Sequence, residues 1–263
     1  MKAHAYRKGK LLTSFRAVLK ALLLFFSRIE TALAQRWVSS AYKRLMWVQW
    51  FLPPEPESFE HHIDLYYQWL TTRDAMWVER GVFNSLALRG GPVLEIACGD
   101  GFNTRNFYSA RSERVVACDI DKKVISFARK RNSAPNVDYR VMDVRSTLPE
   151  GSFDNVIWDA AIEHFTEAEI LQILMRLKAR LSSAGVLSGY TIVERGSGLK
   201  HLSHHEHEFE SKEELGDLLA NSFANVLVFE TTSVGRHNLY FFASDATLPF
   251  SVQWPKCYRV GRT

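Results

Sequence analysis

The sequence is poor in cysteine, and its amino-terminal region has no apolar run long enough to span a bilayer. Its three cysteines, Cys98, Cys118 and Cys257, are too few and too scattered for a disulfide framework or a zinc cage. This usage predicts a reducing compartment, and we expect the protein in the cytoplasm or at a membrane surface facing it. A composition of 46% hydrophobic and 24% charged residues, without low-complexity tracts, excludes a disordered chain.

Acidic residues are scarce in the first 52 positions. Ten Lys or Arg stand there against one acid, Glu30, so this stretch has a net charge of +9, whereas the whole chain has +4. The remainder must therefore carry −5. This asymmetry predicts two regions with different surroundings.

The basic stretch has the spacing of a helix with one apolar face. Seven large apolar residues recur at steps of three and four, namely Leu11, Phe15, Val18, Leu22, Phe26, Ile29 and Leu33. Three tryptophans, Trp37, Trp47 and Trp50, follow before a proline cluster. Basic residues, tryptophans and an apolar face are typical of a helix lying in a membrane interface. A helical appendage that packs on its own domain or on a partner subunit fits the same pattern.

From residue 58 onward, strand signals alternate with helix signals, which is typical of an α/β fold. The strand candidates are 92–97, 114–119, 137–141, 153–158, 186–193, 226–231 and 237–243. Capping boxes of Thr166 with Glu169 and of Ser211 with Glu214 predict two helix starts, and Gly185 is interpreted as the end of the first of these helices. The predicted organisation is a basic helical extension over 1–57, an α/β domain over 58–247 and a tail over 248–263.

The stretch "VLEIACGDGFNT", residues 93–104, ends the first strand in a turn of small residues. Gly99 and Gly101 lack the Cβ that would keep a ligand away from the backbone, and the helix starting near Asn103 directs its free amides to the same turn. A dinucleotide fingerprint would need glycine at Thr104, so that motif is not met. The carboxylate of Glu95 would repel a pyrophosphate and attract a cationic amino acid group.

This run resembles motif I of class I S-adenosylmethionine-dependent methyltransferases, whose usual form is E/D-x-G-x-G-x-G. Glu95, Ala97, Gly99 and Gly101 occupy its positions, with alanine in place of the first glycine. Segments similar to the later family motifs follow in order over residues 90–245. The resemblance implies a doubly wound, mainly parallel seven-stranded sheet (Rossmann-like), with the last strand inserted antiparallel, and S-adenosyl-L-methionine as the cofactor.

The resemblance also implies the remaining cofactor contacts. Asp119, at the end of "VVACD", matches the acid that holds the ribose diol, and Ile120 follows it. Asp143 and Val144, in "YRVMDV", match the residues that face adenine, whereas Asp159 leaves the fourth strand beside the methionine end. Aromatic residues of the preceding segment, Tyr66, Trp69 and Trp77, either cover the cofactor or belong to the core.

Two groups of histidines are candidates for the base that removes a proton from an acceptor. His164 follows the fourth strand, in an "EH" pair that also occurs in the family and there often only shapes the pocket. The loop "HLSHHEHEF", residues 201–209, offers His205 and His207, with His204 close by. A zinc site of His204, His205 and His207 is a less favoured alternative because the spacing matches no standard ligand pattern, and we expect no metal.

The predicted function is methyl transfer from S-adenosylmethionine to a small-molecule, saccharide or lipid-linked acceptor, at oxygen. The oxygen preference follows from the histidines and from the absence of an "NPPY"-type segment after the fourth strand, where the chain has "WDAAIEHF". Two alternatives stay open: an RNA methyltransferase whose basic extension binds phosphates, and a scaffold that keeps the cofactor site without catalysis. Nucleic acid is the less favoured partner because no RNA-binding module is recognisable.

Overall fold

The computed structural model describes residues 2–51, 65, 69, 76–193, 205–233 and 236–249. The chain divides into two compact units, one formed by 1–56 with 62–67 and the other by 57–61 with 68–263. Within the described part of the first unit there is one long helix, α1 (Lys2–Phe51). Tyr66, His204, Cys257 and residues 250–263 of the predicted tail lie outside the described residues.

The second unit is built on a seven-stranded sheet. Its strands are β1 (Val93–Ile96), β2 (Val115–Asp119), β3 (Val137–Val141), β4 (Phe153–Asp159), β5 (Leu181–Ile192), β6 (Asn225–Ser233) and β7 (Arg236–Ser244). The spatial order is β3-β2-β1-β4-β5-β7-β6. The first five strands are parallel, and β7 lies antiparallel between β5 and β6. The predicted doubly wound sheet with an inserted antiparallel strand is confirmed.

The central strands are apolar because they are covered on both faces. All four residues of β1 are buried, and β1 pairs with β2 on one side and with β4 on the other. The described part of this unit includes the α-helices α2 (Met76–Asn84), α3 (Lys122–Arg131), α4 (Glu167–Lys178) and α5 (Lys212–Ala220), which accompany the sheet. α4 buries Ile170, Ile173, Leu174 and Leu177, a stripe at steps of three and four.

Helix capping agrees with the sequence at α3 and α4 and differs in part elsewhere. Asp121 caps α3 by accepting from the Lys123 N–H, and Thr166 with Glu169 forms the complete capping box of α4. At α5, Ser211 accepts from the Glu214 N–H, but the Glu214 carboxylate accepts from the N–H of Glu210, so the box is only half formed.

The predicted end of α4 at Gly185 is wrong. The helix ends at Lys178, and Gly185 lies inside β5, where a Cβ would press on Leu181. The glycine therefore permits close packing within the strand and does not end a helix.

Candidate functional site

The loop after β1 has a left-handed backbone at three positions. The φ angles are +52° at Ala97, +54° at Gly99 and +76° at Gly101. A Cβ at Gly101 would overlap the hydroxyl of Tyr139, so only glycine fits there. Alanine at position 97 takes the left-handed form at a cost of about 1–2 kcal/mol. The loop thus keeps the shape of a glycine-rich turn although its first glycine is absent.

Asp119 fixes this loop to the end of β2. Its Oδ2 accepts the Gly99 N–H at 3.0 Å, and its Oδ1 accepts the Asp121 N–H at 2.9 Å. Burial raises the pKa of the Asp119 carboxyl, and the backbone N–H donors oppose that shift. The carboxylate that the sequence singles out therefore stands beside the turn, with Ile120 exposed next to it.

Glu95 lies under the loop and is only 2% exposed. Its Oε2 accepts the hydroxyl proton of Thr104 at 2.5 Å. Burial raises the pKa of Glu95 well above its ordinary value, although the bond from Thr104 acts in the opposite direction. A cation bound next to this side chain would favour its ionised form and so oppose the effect of burial.

Asp159, at the end of β4, forms a buried ion pair with Arg80 of α2. Nε of Arg80 donates to Oδ1 at 3.0 Å and Nη2 donates to Oδ2 at 2.9 Å, and the two residues are 8% and 7% exposed. Burial acts to lower the pKa of Arg80, but the Asp159 carboxylate outweighs it and the pKa is raised. The two hydrogen bonds hold both side chains in one orientation and pair their opposite charges.

Aromatic rings and an asparagine complete this arrangement. The Arg80 guanidinium lies 4.9 Å from the ring centroid of Trp77 and 4.8 Å from that of Tyr190. Nδ2 of Asn103 donates to Oδ2 of Asp159 at 3.0 Å. Oδ1 of Asn103 is buried and accepts no hydrogen bond from the described residues. A buried acceptor without a partner among the described residues is suited to a donor on a bound ligand.

Most of these groups line one cleft, whereas Asp119, Gly101 and Tyr190 are not among its lining residues. Its lining comprises Trp77, Arg80, Glu95, Ala97, Cys98, Gly99, Asp100, Phe102, Asn103, Asp159 and Ala160. Trp77 thus lines the cleft, whereas Trp69 is exposed. Arg80 and Asn103 are not among the site residues predicted from the sequence. The only signal for Asn103 is its position at the start of the helical segment, and Arg80 has none, because its partner is 79 residues away.

Asp143 and Val144 follow β3 but differ in their surroundings. Asp143 is paired with Arg145, from Nε to Oδ1 at 3.0 Å, and the hydrogen bond from Arg145 lowers the pKa of Asp143. Val144 is buried, with 5% exposure. In this structure the Asp143 carboxylate therefore already has a cationic partner.

Two of the three predicted histidines come together with two glutamates, in what we call the His–Glu cluster: Glu163, His164, His205 and Glu208. The rings of His164 and His205 are 5.0 Å apart, and one ligand atom from each of Glu163, His164 and His205 lies within 4.8 Å of the others. Nδ1 of His205 is hydrogen-bonded to Oε1 of Glu208. This set offers two imidazoles and a carboxylate that are able to hold a metal ion or a proton.

His207 points elsewhere. Its Nε2 lies 3.0 Å from Oε1 of Glu214 on α5, and its ring packs against Phe209 at 4.7 Å. A bend at Glu206 separates the two positions and directs their side chains differently. Of the loop's described histidines, His205 is the one that joins the His–Glu cluster.

Comparison with known proteins agrees with the geometry. Residues 93–185 match the model of a family described as a methyltransferase domain. The chain is 38% identical over 78 residues to N-demethylindolmycin N-methyltransferase of Streptomyces griseus, which covers 26% of this chain and 33% of that protein. It is 28% identical over 97 residues to malonyl-[acyl-carrier protein] O-methyltransferase of Acetivibrio thermocellus, covering 36% and 34%. The matches therefore span about a third of the length of these curated relatives.

Solved structures share the fold. A DhpI complex with SAH has a TM-score of 0.54 at 21% identity and covers 73% of this chain and 89% of that one. The N-methyltransferase NodS from Bradyrhizobium japonicum, also in complex with S-adenosyl-l-homocysteine, has a TM-score of 0.53 at 14% identity, covering 70% and 93%. At these identities the likeness establishes a common architecture.

Proposed function

We propose that residues 93–185, which match the model of a family described as a methyltransferase domain, form a class I S-adenosylmethionine-dependent methyltransferase domain. On this premise the protein binds S-adenosylmethionine and methylates a small molecule. One observation supports the proposal most strongly. The cleft at the ends of β1 and β4 has buried charged groups that suit an amino acid, and it lies beside a turn whose backbone a nucleoside could approach closely. Bound S-adenosylmethionine supplies a methyl group activated by a sulfonium.

The amino acid end of the cofactor fits the buried polar groups of the cleft. Oδ1 of Asn103, which has no partner among the described residues, would accept from the ammonium group, together with the Asp159 carboxylate. Arg80 uses Nε and Nη2 for Asp159, and its guanidinium is the cation in the lining that suits a carboxylate. Glu95 places a second carboxylate in the lining, where a cationic ligand would keep it ionised.

The nucleoside end fits the neighbouring strand ends. Asp119 would accept from both ribose hydroxyls while it holds Gly99, and Ile120 offers an exposed apolar side chain beside it. Asp143 and Val144 would face adenine. The Asp143 carboxylate would then interact with both adenine and Arg145. Gly99 and Gly101 let the backbone approach the ligand, with Ala97 in the same left-handed form.

We assign the acceptor side to the histidines. A hydroxyl acceptor must lose its proton as the methyl group is transferred, and Glu163 and His164 of the His–Glu cluster follow Ala160, which lines the cleft, by three and four residues. The imidazoles of the cluster, His164 and His205, are the groups that would act on that proton. This supports transfer to oxygen, in a small-molecule, saccharide or lipid-linked acceptor. His207, the third histidine predicted from the sequence, faces Glu214 and Phe209 and is given no role on the acceptor.

The first unit adds a proposed membrane contact. Its helix α1 exposes Phe15, Leu22, Phe26, Leu33 and Trp37 in a stretch with a strong excess of basic residues. None of the described helices has an apolar stretch that would cross a bilayer. An apolar, basic helix of this kind suits the interface of an anionic membrane, and it would place the domain near a lipid-linked acceptor.

Methyl transfer is tested with isotopically labelled S-adenosylmethionine in an extract of the host. We expect label to enter a low-molecular-weight or lipid fraction with the wild-type protein. Asp119→Ala removes a loop anchor and the proposed ribose acceptor, so we expect at least about tenfold less label, the equivalent of about 1.4 kcal/mol. Glu230→Gln, a surface change far along the chain from the cleft, is the matched control. Labelling that is equal in wild type and Asp119→Ala would contradict the proposal.

A further inference from the structure

The His–Glu cluster is assembled from two segments about forty residues apart. Glu163 and His164 belong to a short 3₁₀ turn, Ile162–His164, that follows β4, whereas His205 and Glu208 belong to the segment before α5. Neither segment alone shows a ligand spacing in the sequence. The fold brings one ligand atom of each of Glu163, His164 and His205 within 4.8 Å of the others.

Hydrogen bonds hold the two segments together before any ligand binds. The backbone N–H groups of Glu206 and His207 both donate to the carbonyl oxygen of Glu163, at 2.8 and 3.1 Å. Oγ1 of Thr191, near the end of β5, donates to Oε2 of Glu163 at 2.9 Å. The carboxylate of Glu163 is therefore oriented by a neighbouring strand, as the ligands of a preformed metal site usually are.

Glu208 gives His205 the arrangement that metal-bound histidines commonly have. It bonds Nδ1 of His205, and both side chains are buried. With the proton on Nδ1, the ring's lone pair is on Nε2, the nitrogen that would ligate. A carboxylate behind the imidazole also makes the ring a stronger ligand.

The chemistry of the ligand set favours a cation. Glu163 and His205 are 4% and 2% exposed, so their ligand atoms lie in a buried place. Two imidazole nitrogens and one carboxylate oxygen form a ligand set of catalytic zinc sites.

We propose that Glu163, His164 and His205 bind one divalent transition-metal ion, of which Zn²⁺ is the representative, with Glu208 as the partner that orients His205. Among the described residues these three supply the ligands, which leaves the fourth position of a tetrahedral ion for another group. This second step rests on the proposed function: an acceptor hydroxyl bound at that position loses its proton to solvent, the O–H electron pair stays on oxygen, and the ion stabilises the resulting charge. The cluster then acts on the acceptor proton through the metal instead of through a neutral imidazole.

Metal binding is tested on the full chain after dialysis against a chelator, by titration with Zn²⁺ and by the visible absorption of the Co²⁺ complex. We expect one ion per chain and a four-coordinate Co²⁺ spectrum. His164→Ala and His205→Ala should each remove binding. The conservative Glu208→Gln should weaken it by about 10–100-fold, the usual effect of an orienting partner. His237→Gln, an exposed histidine paired with Glu230, is the matched control and should bind as wild type does.

The outcomes distinguish metal binding by the cluster from a role of the metal in the reaction. Absence of stoichiometric binding by the wild type, or binding that survives both His164→Ala and His205→Ala, overturns the site. Titration with S-adenosylhomocysteine shows whether each variant is folded, and it does so whether or not an acceptor is known. Full methyl transfer by protein depleted of metal would refute the role in deprotonation even if the ion binds.

Discussion

At the scale of residues, buried charges decide what the cleft accepts. Arg80 and Asp159 neutralise each other and are held between aromatic rings, whereas Glu95 has a hydroxyl partner and no ion pair to a described residue. A ligand with one positive and one negative charge would pair with these groups if its cation lay between Glu95 and Asp159 and its anion faced Arg80. The ammonium and carboxylate of the amino acid end of S-adenosylmethionine supply one charge of each sign.

Glu95→Gln should change the pH dependence of cofactor binding. Burial raises the pKa of Glu95, so its carboxyl takes up a proton at a higher pH than usual, and a cationic ligand favours the ionised form. In the wild type, affinity should therefore rise with pH through the raised pKa, and binding should release a proton below it. In Glu95→Gln the affinity should be weaker and flatter with pH.

Calorimetric titrations with S-adenosylhomocysteine between about pH 5 and 8, in buffers of different ionisation heat, measure both effects. Thr104→Val is the comparison because it removes the hydroxyl partner of Glu95 and keeps the carboxyl. A pH dependence that is the same in wild type and Glu95→Gln would mean that another group causes it.

Which site residues the sequence predicts depends on where they sit. Glu95, Asp119 and Asp159 could be placed, because strand ends of a parallel sheet meet at one edge and the strands are apolar enough to recognise. Arg80 and Glu208 could not, because their roles come from contacts with Asp159 and His205 that depend on packing. The sequence indicates Asn103 only as part of a helix start. That its Oδ1 has no hydrogen-bond partner among the described residues is seen only in the structure.

At the scale of elements, the strands are predicted more accurately than the helix ends. The order of apolar runs gives all seven strands, and β3 has the predicted bounds. β5 starts earlier than predicted, at Leu181, because Leu181 pairs with Phe153 ahead of a shift in register, after which Val186 pairs with Asn155. In a sequence, a glycine such as Gly185 is compatible with a helix end and also with close packing in a strand. The pairing of the strands distinguishes the two, and the sequence alone does not.

Helix α1 is the element with the most exposed apolar surface, and it allows a matched test of the proposed membrane contact. Leu22 and Leu24 are equally exposed, at 51% and 49%, but lie about 200° apart around the helix axis. Leu22 is on the side of Phe15, Phe26 and Leu33, so Leu22→Asp should weaken binding to anionic vesicles by about tenfold or more. Leu24→Asp makes the same chemical change on the opposite side and should have a much smaller effect.

Sedimentation with vesicles containing phosphatidylserine measures this binding, with phosphatidylcholine vesicles as the uncharged comparison. Binding should fall as salt rises, because the basic residues contribute through attraction to the lipid headgroups. Equal binding by both leucine variants, or no binding by the wild type, would contradict the membrane contact. In the second case self-association through α1 would be the remaining explanation for its apolar side.

At the scale of the whole molecule, topology places the cleft. The chain runs from β1 outward to β3, returns to β4 on the other side of β1, and so creates a switch point between β1 and β4. Ligands of doubly wound sheets bind outside the strand ends at such a point. Ala97 to Gly101 leave β1 there and Asp159 leaves β4 there, which explains why a short loop and a distant carboxylate share one cleft.

The central claim is that this cleft binds S-adenosylmethionine, and a calorimetric titration of the folded protein with S-adenosylhomocysteine tests it most directly. We expect saturable binding of one ligand per chain, and a loss of at least about tenfold in affinity in Asp119→Ala. A wild-type protein that is folded by circular dichroism and shows neither heat nor saturation with this ligand would contradict the account.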